Sequence, residues 1–177
     1  MRARLAGEID RLRGVAADVA WVAEANLHVT LKILGQIDEP RVDPIAEAIG
    51  AVAARRPPFE LDVRGLGAFP APLRPRIVWM GLEPAAPLAA LAADLDVALG
   101  TLGVPRDARR FAAHVTLGRV RESRRSPELA ATLARPVECG RLPVTRLSLM
   151  RSELHPRGAR YTELTSVLLA GASSPVE

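Results

Sequence analysis

The tetrapeptide His-Val-Thr-Leu occurs twice in this chain, at His28 to Leu31 and again 86 residues on at His114 to Leu117. The chain has 177 residues and only three histidines, so two of the three open the same word. A repeat that uses a rare titratable residue each time restricts the fold. Each half of the chain must deliver one His and one Thr in like surroundings. Shifting the first half by 86 residues aligns far more than the motif. Leu5-Ala6-Gly7-Glu8-Ile9-Asp10 falls on Leu91-Ala92-Ala93-Asp94-Leu95-Asp96, Gly14 on Gly100, and Ile77-Val78-Trp79 on Glu163-Leu164-Thr165. The pattern predicts a duplicated helix–strand–helix–strand–strand unit, folded as one domain over 1–177 with two pseudo-symmetric lobes.

Local patterns place the elements. Leu5, Ile9 and Leu12 predict a helix from Arg2 to Gly14. A short extended piece at Val19 to Val22 precedes the first His strand, Leu27 to Leu34, which Gly35 closes. Pro40 to Arg55 reads as a helix that Pro57-Pro58 ends. Alternation from Phe59 to Phe69 predicts a strand. A Pro-rich loop from Pro70 to Pro75 leads to another strand, Arg76 to Leu82. The second half predicts a helix at Leu88 to Gly100, the second His strand at Phe111 to Val120 and a helix at Pro127 to Ala134. Strands at Thr145 to Leu154 and Tyr161 to Leu169 follow, joined by a loop from His155 to Ala159. The second unit's helix follows a strand, whereas the first follows only Met1. By symmetry a strand of about ten residues should precede it, and its absence is expected to be a late start of the chain.

Half of the residues (49%) are apolar, enough for a core, while aromatics are 3%, so Ala, Val and Leu must fill it. Of the 24 basic residues Lys32 is the only lysine, and the rest are Arg. A formal charge of +4 carried by guanidinium groups suits an anionic partner such as RNA. A general bias toward Arg and Ala explains the composition equally well. Cys139 is a lone cysteine, which excludes an internal disulfide and fits a reducing cytoplasm. No apolar run reaches the ~20 residues of a membrane span.

On a strand, side chains alternate, so His28 and Thr30 point one way and Val29 and Leu31 the other. His114 and Thr116 repeat the arrangement, with Val115 and Leu117 opposite. If the halves pack with two-fold pseudo-symmetry, two imidazoles and two hydroxyls surround one small volume. Two imidazoles flanking one phosphorus suit in-line phosphoryl transfer: one accepts a proton from attacking water and the other donates one to the departing oxygen. Imidazole titrates near ~6.5, so neutral and charged rings coexist near neutral pH. The hydroxyls can bond the non-bridging oxygens. No cofactor is called for, and two histidines alone leave a metal short of ligands.

These residues resemble the RNA 2′,3′-cyclic phosphodiesterases of the two-histidine phosphoesterase superfamily, also described as 2′-5′ RNA ligases. The resemblance includes Trp21-Val22, Asn26-Leu27-His28-Val29-Thr30-Leu31-Lys32 and Leu34-Gly35. It continues through Leu66-Gly67-Ala68-Phe69-Pro70, Pro75-Arg76-Ile77-Val78-Trp79 and His114-Val115-Thr116-Leu117-Gly118-Arg119. It ends in Arg151-Ser152-Glu153-Leu154 and Gly158-Ala159-Arg160-Tyr161-Thr162. The chain departs from the family at Ala113, where Pro is usual, and in lacking the first strand. The resemblance implies a bilobal α+β fold, two antiparallel sheets walling a central cleft with helices outside. It also implies metal-independent hydrolysis of an RNA-terminal 2′,3′-cyclic phosphate to a 2′-phosphate. His28 would be the proton donor and His114 the acceptor, with Thr30 and Thr116 on the phosphate. The residues alone leave the donor and acceptor interchangeable. The expected partner is an RNA or oligonucleotide end, with no membrane, and the protein is expected to act as a monomer. Alternatives are an RNA end-binding or 2′-5′ ligating protein, or a phosphodiesterase for another cyclic phosphate such as an ADP-ribose derivative.

Four further residues are candidates for substrate binding. Lys32 is on the His28 and Thr30 face by alternation, where it would attract phosphate or end the strand in solvent. Arg119 falls on the opposite face from His114 and reaches the site only if a bulge intervenes. Arg151 and Tyr161 are on late strands. Tyr161, Phe69 and the tryptophans could stack on bases, though core packing is the simpler expectation. His155 lacks a Thr two residues on and is expected in solvent, as is the Arg121 to Arg125 cluster.

Overall fold

The computed structural model describes residues 1–16, 18–122, 125–155 and 158–171. Apolar spacing sets the helices. α1 (Arg2–Arg13) buries Leu5, Ile9 and Leu12 as one stripe. α2 (Val42–Ala53) buries Ile45, Ile49, Val52 and Ala53, and a 3₁₀ turn at Glu39–Arg41 leads into it. α3 (Ala85–Gly100) buries Leu88, Leu91, Ala92, Leu95 and Leu99. α4 (Pro127–Leu133) starts on Ser126, whose hydroxyl accepts from the Leu129 N–H at 3.4 Å, with Pro127 at the first helical position. The strands are β1 (Val19–Trp21), β2 (Phe59–Ala71), β3 (Arg74–Glu83), β4 (His114–Val120), β5 (Glu138–Val144), β6 (Arg146–His155) and β7 (Gly158–Leu168). The protein is α+β.

The chain forms two compact units, and neither is one half of the sequence. Unit one takes Met1–Thr30, Leu61–Ala85 and Ala113–Leu142. Its sheet has the order β1-β4-β3-β2-β5, with the pairs β1–β4, β4–β3 and β3–β2 antiparallel. One sheet face carries Leu61, Val63, Val78, Met80, Leu82, Val115 and Leu117, each at most 4% exposed. The stripes of α1 and α4, the latter Leu129 and Leu133, supply the apolar cover this face needs. Arg4 of α1 donates to the Cys139 carbonyl on β5 at 3.3 Å.

Unit two takes Leu31–Glu60, Ala86–Ala112 and the chain from Pro143 on. Here α2 and α3 share a core with the antiparallel pair β6–β7, including Ile45, Val52, Leu91, Leu99, Leu147, Leu149 and Leu169. Each fully buried Leu or Ile contributes roughly 1.5–3 kcal/mol of transfer free energy, so burial of the alternating face decides which way each strand turns.

Three local expectations need correction. The predicted first His strand, Leu27 to Leu34, is not a strand: among the described residues a single bridge at Val29 is all the ladder it makes. A 3₁₀ turn at Glu24–Asn26 interrupts the chain before it, and the chain leaves unit one after Thr30. The predicted Pro70 to Pro75 loop is mostly strand, because β2 and β3 continue to Ala71 and from Arg74 around a tight turn. β5 is a strand that alternation does not predict, because Pro143 and Gly140 mask its pattern. The expected loop from His155 to Ala159 includes Pro156 and Arg157, which lie outside the described residues, and His155 itself ends β6, exposed and opposite Gly158. Ser123 and Arg124 of the basic cluster also lie outside the described residues.

Candidate active site

Both His-x-Thr pairs belong to unit one and meet on the same edge of β4. β1 pairs with the C-terminal part of that edge, with Trp21 opposite Gly118. The Val22 N–H continues the ladder to the Leu117 carbonyl at 2.8 Å. The 3₁₀ turn at Glu24–Asn26 then lifts the chain off the edge, and the buried Leu27 returns it. Val29 rejoins β4 in an antiparallel bridge to Val115. An antiparallel bridge runs neighbours past one another, so His28 takes the position beside Thr116 and Thr30 the position beside His114. Val115 is 4% exposed, so this pair faces the core and the four polar residues take the other face. His28 and Thr30 are exposed, while His114 and Thr116 are half-buried.

His28 is oriented locally. Its Nδ1 lies 2.7 Å from the Asn26 carbonyl oxygen. A carbonyl only accepts, so Nδ1 carries the hydrogen in this bond. The 3₁₀ turn presents that carbonyl, which gives it a direct purpose at the motif.

Arg119 reaches the motif face through a bulge. Val78 pairs with Gly118 but Trp79 pairs with Thr116, so Leu117 is the extra residue on β4. Beyond it Arg119 pairs with Ile77, which shares its face with Trp79. Strict alternation assigns Arg119 to the wrong face; the one-residue slip returns it to the face of His114 and Thr116, where it is exposed.

The Lys32 ammonium does not end in solvent; three acceptors of the chain engage it. Lys32 belongs to unit two, and its side chain is 3% exposed. Its ammonium donates to Asp96 Oδ1 at 2.5 Å, the Pro105 carbonyl at 2.9 Å and Asp107 Oδ2 at 3.3 Å. An ammonium has three donors, and these three acceptors match them. Burial pulls its pKa down, but the bonds to Asp96 and Asp107 outweigh this and hold it above the ordinary lysine value. Arg151 and Tyr161 also belong to unit two, on adjacent rungs of β6–β7 opposite Thr162 and Ser152. The structure does not put them on the sheet that carries the motifs.

Two neighbours of the site are aromatics that the sequence pattern assigns to core packing. The Phe69 ring meets His114 edge-on, with centroids 5.2 Å apart and planes at 86°. Trp79 is 6.3 Å from His114 and 5.2 Å from Phe69. The signal that could have found them is Gly67, two positions before Phe69 and opposite Trp79, where no side chain competes with the indole. Trp21 packs instead against Gly118.

Over residues 2–156 the chain matches the family described as the 2′-5′ RNA ligase superfamily. The chain belongs to this superfamily. It is 36% identical over 157 residues to a protein of Methanothermobacter thermautotrophicus named RNA 2′,3′-cyclic phosphodiesterase, covering 88% of this chain and 85% of that one. Its fold is similar to that of TT0787 of Thermus thermophilus, with a TM-score of 0.79 and 31% identity over 96% of this chain and 92% of the other. It is also similar to E. coli LigT crystallised with 3′-AMP, with a TM-score of 0.75 and 27% identity over 94% and 92% of the two chains. The sequence motifs that resemble this family therefore lie in a chain of the family's fold. Among the described residues no helix is long and apolar enough to cross a membrane.

Proposed function

We propose that this chain hydrolyses an RNA-terminal 2′,3′-cyclic phosphate to a 2′-phosphate, by acid–base catalysis that uses no metal ion. The observation that carries the reading is the Val29–Val115 bridge, which sets each His beside the other motif's Thr on one sheet face. Membership of the superfamily and the names of relatives support the phosphodiesterase class. The 3′-AMP bound to LigT supports a nucleotide as the group recognised.

In the proposed step, His114 accepts a proton as water attacks phosphorus, and His28 Nε2 donates one to O3′ as the P–O3′ bond breaks. A new P–O bond forms, and the products are a 2′-monoester and a free 3′-hydroxyl. The assignment of donor and acceptor follows the family resemblance. The Asn26 carbonyl holds the His28 ring so that Nε2 is the reacting nitrogen. Thr30 and Thr116 donate to the non-bridging oxygens, and Arg119 offsets the charge that develops there.

The test is turnover of a nucleoside 2′,3′-cyclic phosphate in EDTA, with product identified. His28→Ala and His114→Ala should each lower kcat by about 10²–10⁴-fold while the fold persists. Wild-type turnover in both folded variants, or a 3′-phosphate product, would refute the reading.

A further inference from the structure

We propose that Phe69 and Trp79 form a positioning wall that helps aim the His114 imidazole, and that Gly67 lets this wall lie down; the inference rests on the phosphodiesterase reading above. Trp79 stands on β3 between Gly67 of β2 and Thr116 of β4. A Cβ at Gly67 would lie 2.3 Å from both Cη2 and Cζ2 of Trp79, closer than atoms can approach. The position two residues along β3 is Gly81, opposite His114, where a Cβ would lie 3.6 Å from Trp79 Cζ3 and 2.7 Å from the Arg64 carbonyl oxygen. The indole therefore lies across the sheet over the space a side chain at Gly67 would take, and within ordinary contact distance of a Cβ at Gly81, where the Arg64 carbonyl is the tight neighbour.

Phe69 comes from the same strand and face as Gly67. Its ring contacts Trp79 on one side and His114 edge-on on the other, both at 5.2 Å. The three rings thus form a chain from Gly67 to the imidazole. Packing alone does not explain the choice of Trp. Its Nε1 is buried and meets no acceptor among the described residues, which is a cost that Phe or Leu at this position would avoid. A flat, rigid group is useful where a neighbouring ring must be held. The Asn26 carbonyl holds the His28 ring, and the Phe69 edge and the Trp79 indole lie against the His114 ring. A proton acceptor whose nitrogen is misplaced by about 1 Å can lose on the order of 10²-fold in rate, so a positioning group acts on kcat with little effect on substrate affinity.

The experiment compares Phe69→Leu, which keeps apolar volume but loses the flat edge, with Phe69→Tyr, which keeps the ring. The substrate is a nucleoside 2′,3′-cyclic phosphate. Phe69→Leu should lower kcat by about 10-fold or more with KM within about 2-fold, and Phe69→Tyr should recover most of the loss. The imidazole proton resonances of His114 should shift in Phe69→Leu and return toward wild type in Phe69→Tyr. Trp79→Phe should also lower kcat selectively, and it serves as the test if Phe69→Leu does not fold. A folded Phe69→Leu, or in its absence Trp79→Phe, with wild-type kcat overturns the wall. So does an equal loss in the Leu and Tyr variants. These outcomes are distinct from failure of the underlying reading. In that case wild type does not hydrolyse the substrate, or His114→Ala keeps its turnover.

Discussion

Lys32 illustrates how one residue's role depends on partners far along the chain. Its ammonium bonds to Asp96 and Asp107 and to the Pro105 carbonyl, which ties the chain just after the first motif to α3 and the loop that follows it. The Lys32 bond, then the Asp107 backbone N–H, hold the Asp96 carboxyl below the usual range. The signs of the two linkages differ. Lys32 has a raised folded pKa, so its contribution is full below ~10.4 and is lost as pH rises through the higher folded value. Asp96 has a depressed folded pKa, so its contribution is present above ~3.9 and is lost as pH falls through the lower folded value. Lys32→Met should therefore lower the melting temperature by roughly 3–10 °C at pH 7, because it strands Asp96 beside a buried apolar side chain. The loss should be nearly constant from about pH 5 to about pH 9. Thermal melts across that range check it, and melts that overlay those of wild type would remove the anchor role. The sequence identifies Lys32 as the one lysine beside a motif, but its partners lie 64 and 75 residues away, and no local pattern pairs them.

The elements around the motifs are tuned by two irregularities, the 3₁₀ turn before His28 and the bulge at Leu117. The first supplies the Asn26 carbonyl to His28, and the second turns Arg119 to the motif face. Gly118 completes the bulge. A Cβ there would lie 2.5 Å from Val19 Cγ1 and 2.8 Å from Trp21 Cε3, so β1 can pair with β4 only over a bare backbone. Gly118→Ala should cost about 1–3 kcal/mol through overpacking. A urea transition shifted by that amount, together with faster amide exchange at Val22, would support the close approach. An unchanged midpoint would show that β1 yields without cost. Period-two alternation makes β4 legible as a strand, but a bulge is a single extra residue, and nothing in Gly118-Arg119 announces it. At the first motif alternation misleads in the opposite direction. Leu27 to Leu34 alternates as a strand does, yet the ladder holds it only at Val29, and from Leu31 the chain belongs to unit two.

At the scale of the molecule, the sequence halves and the compact units are cut differently. The 86-residue offset carries α1 onto α3, and β2 and β3 onto β6 and β7, in the same order. Unit one nevertheless combines α1, β2 and β3 with β4 and α4, whereas unit two combines α2 with α3, β6 and β7. Neither half contains a unit's full set of strands and cover. A fragment of residues 1–86 expressed alone should therefore lack cooperative unfolding and dispersed NMR signals. Adding residues 87–177 should restore both, together with hydrolysis. A 1–86 fragment that folds alone would contradict the crosswise assembly.

By itself the sequence determined what repetition and local chemistry can encode: the helices with their buried stripes, most of the strands, and the two repeated His-x-Thr words. These follow from periodicity and from residue types that neighbours along the chain cannot disguise. Only the tertiary structure decided which residues join those words at the site. Arg119 joins through a bulge, Phe69 and Trp79 through ring contacts across strands, and Lys32 is withdrawn by two distant carboxylates. Each of these depends on register or on a contact between chain segments far apart in sequence. A one-residue slip, invisible to alternation, reverses the face a side chain occupies.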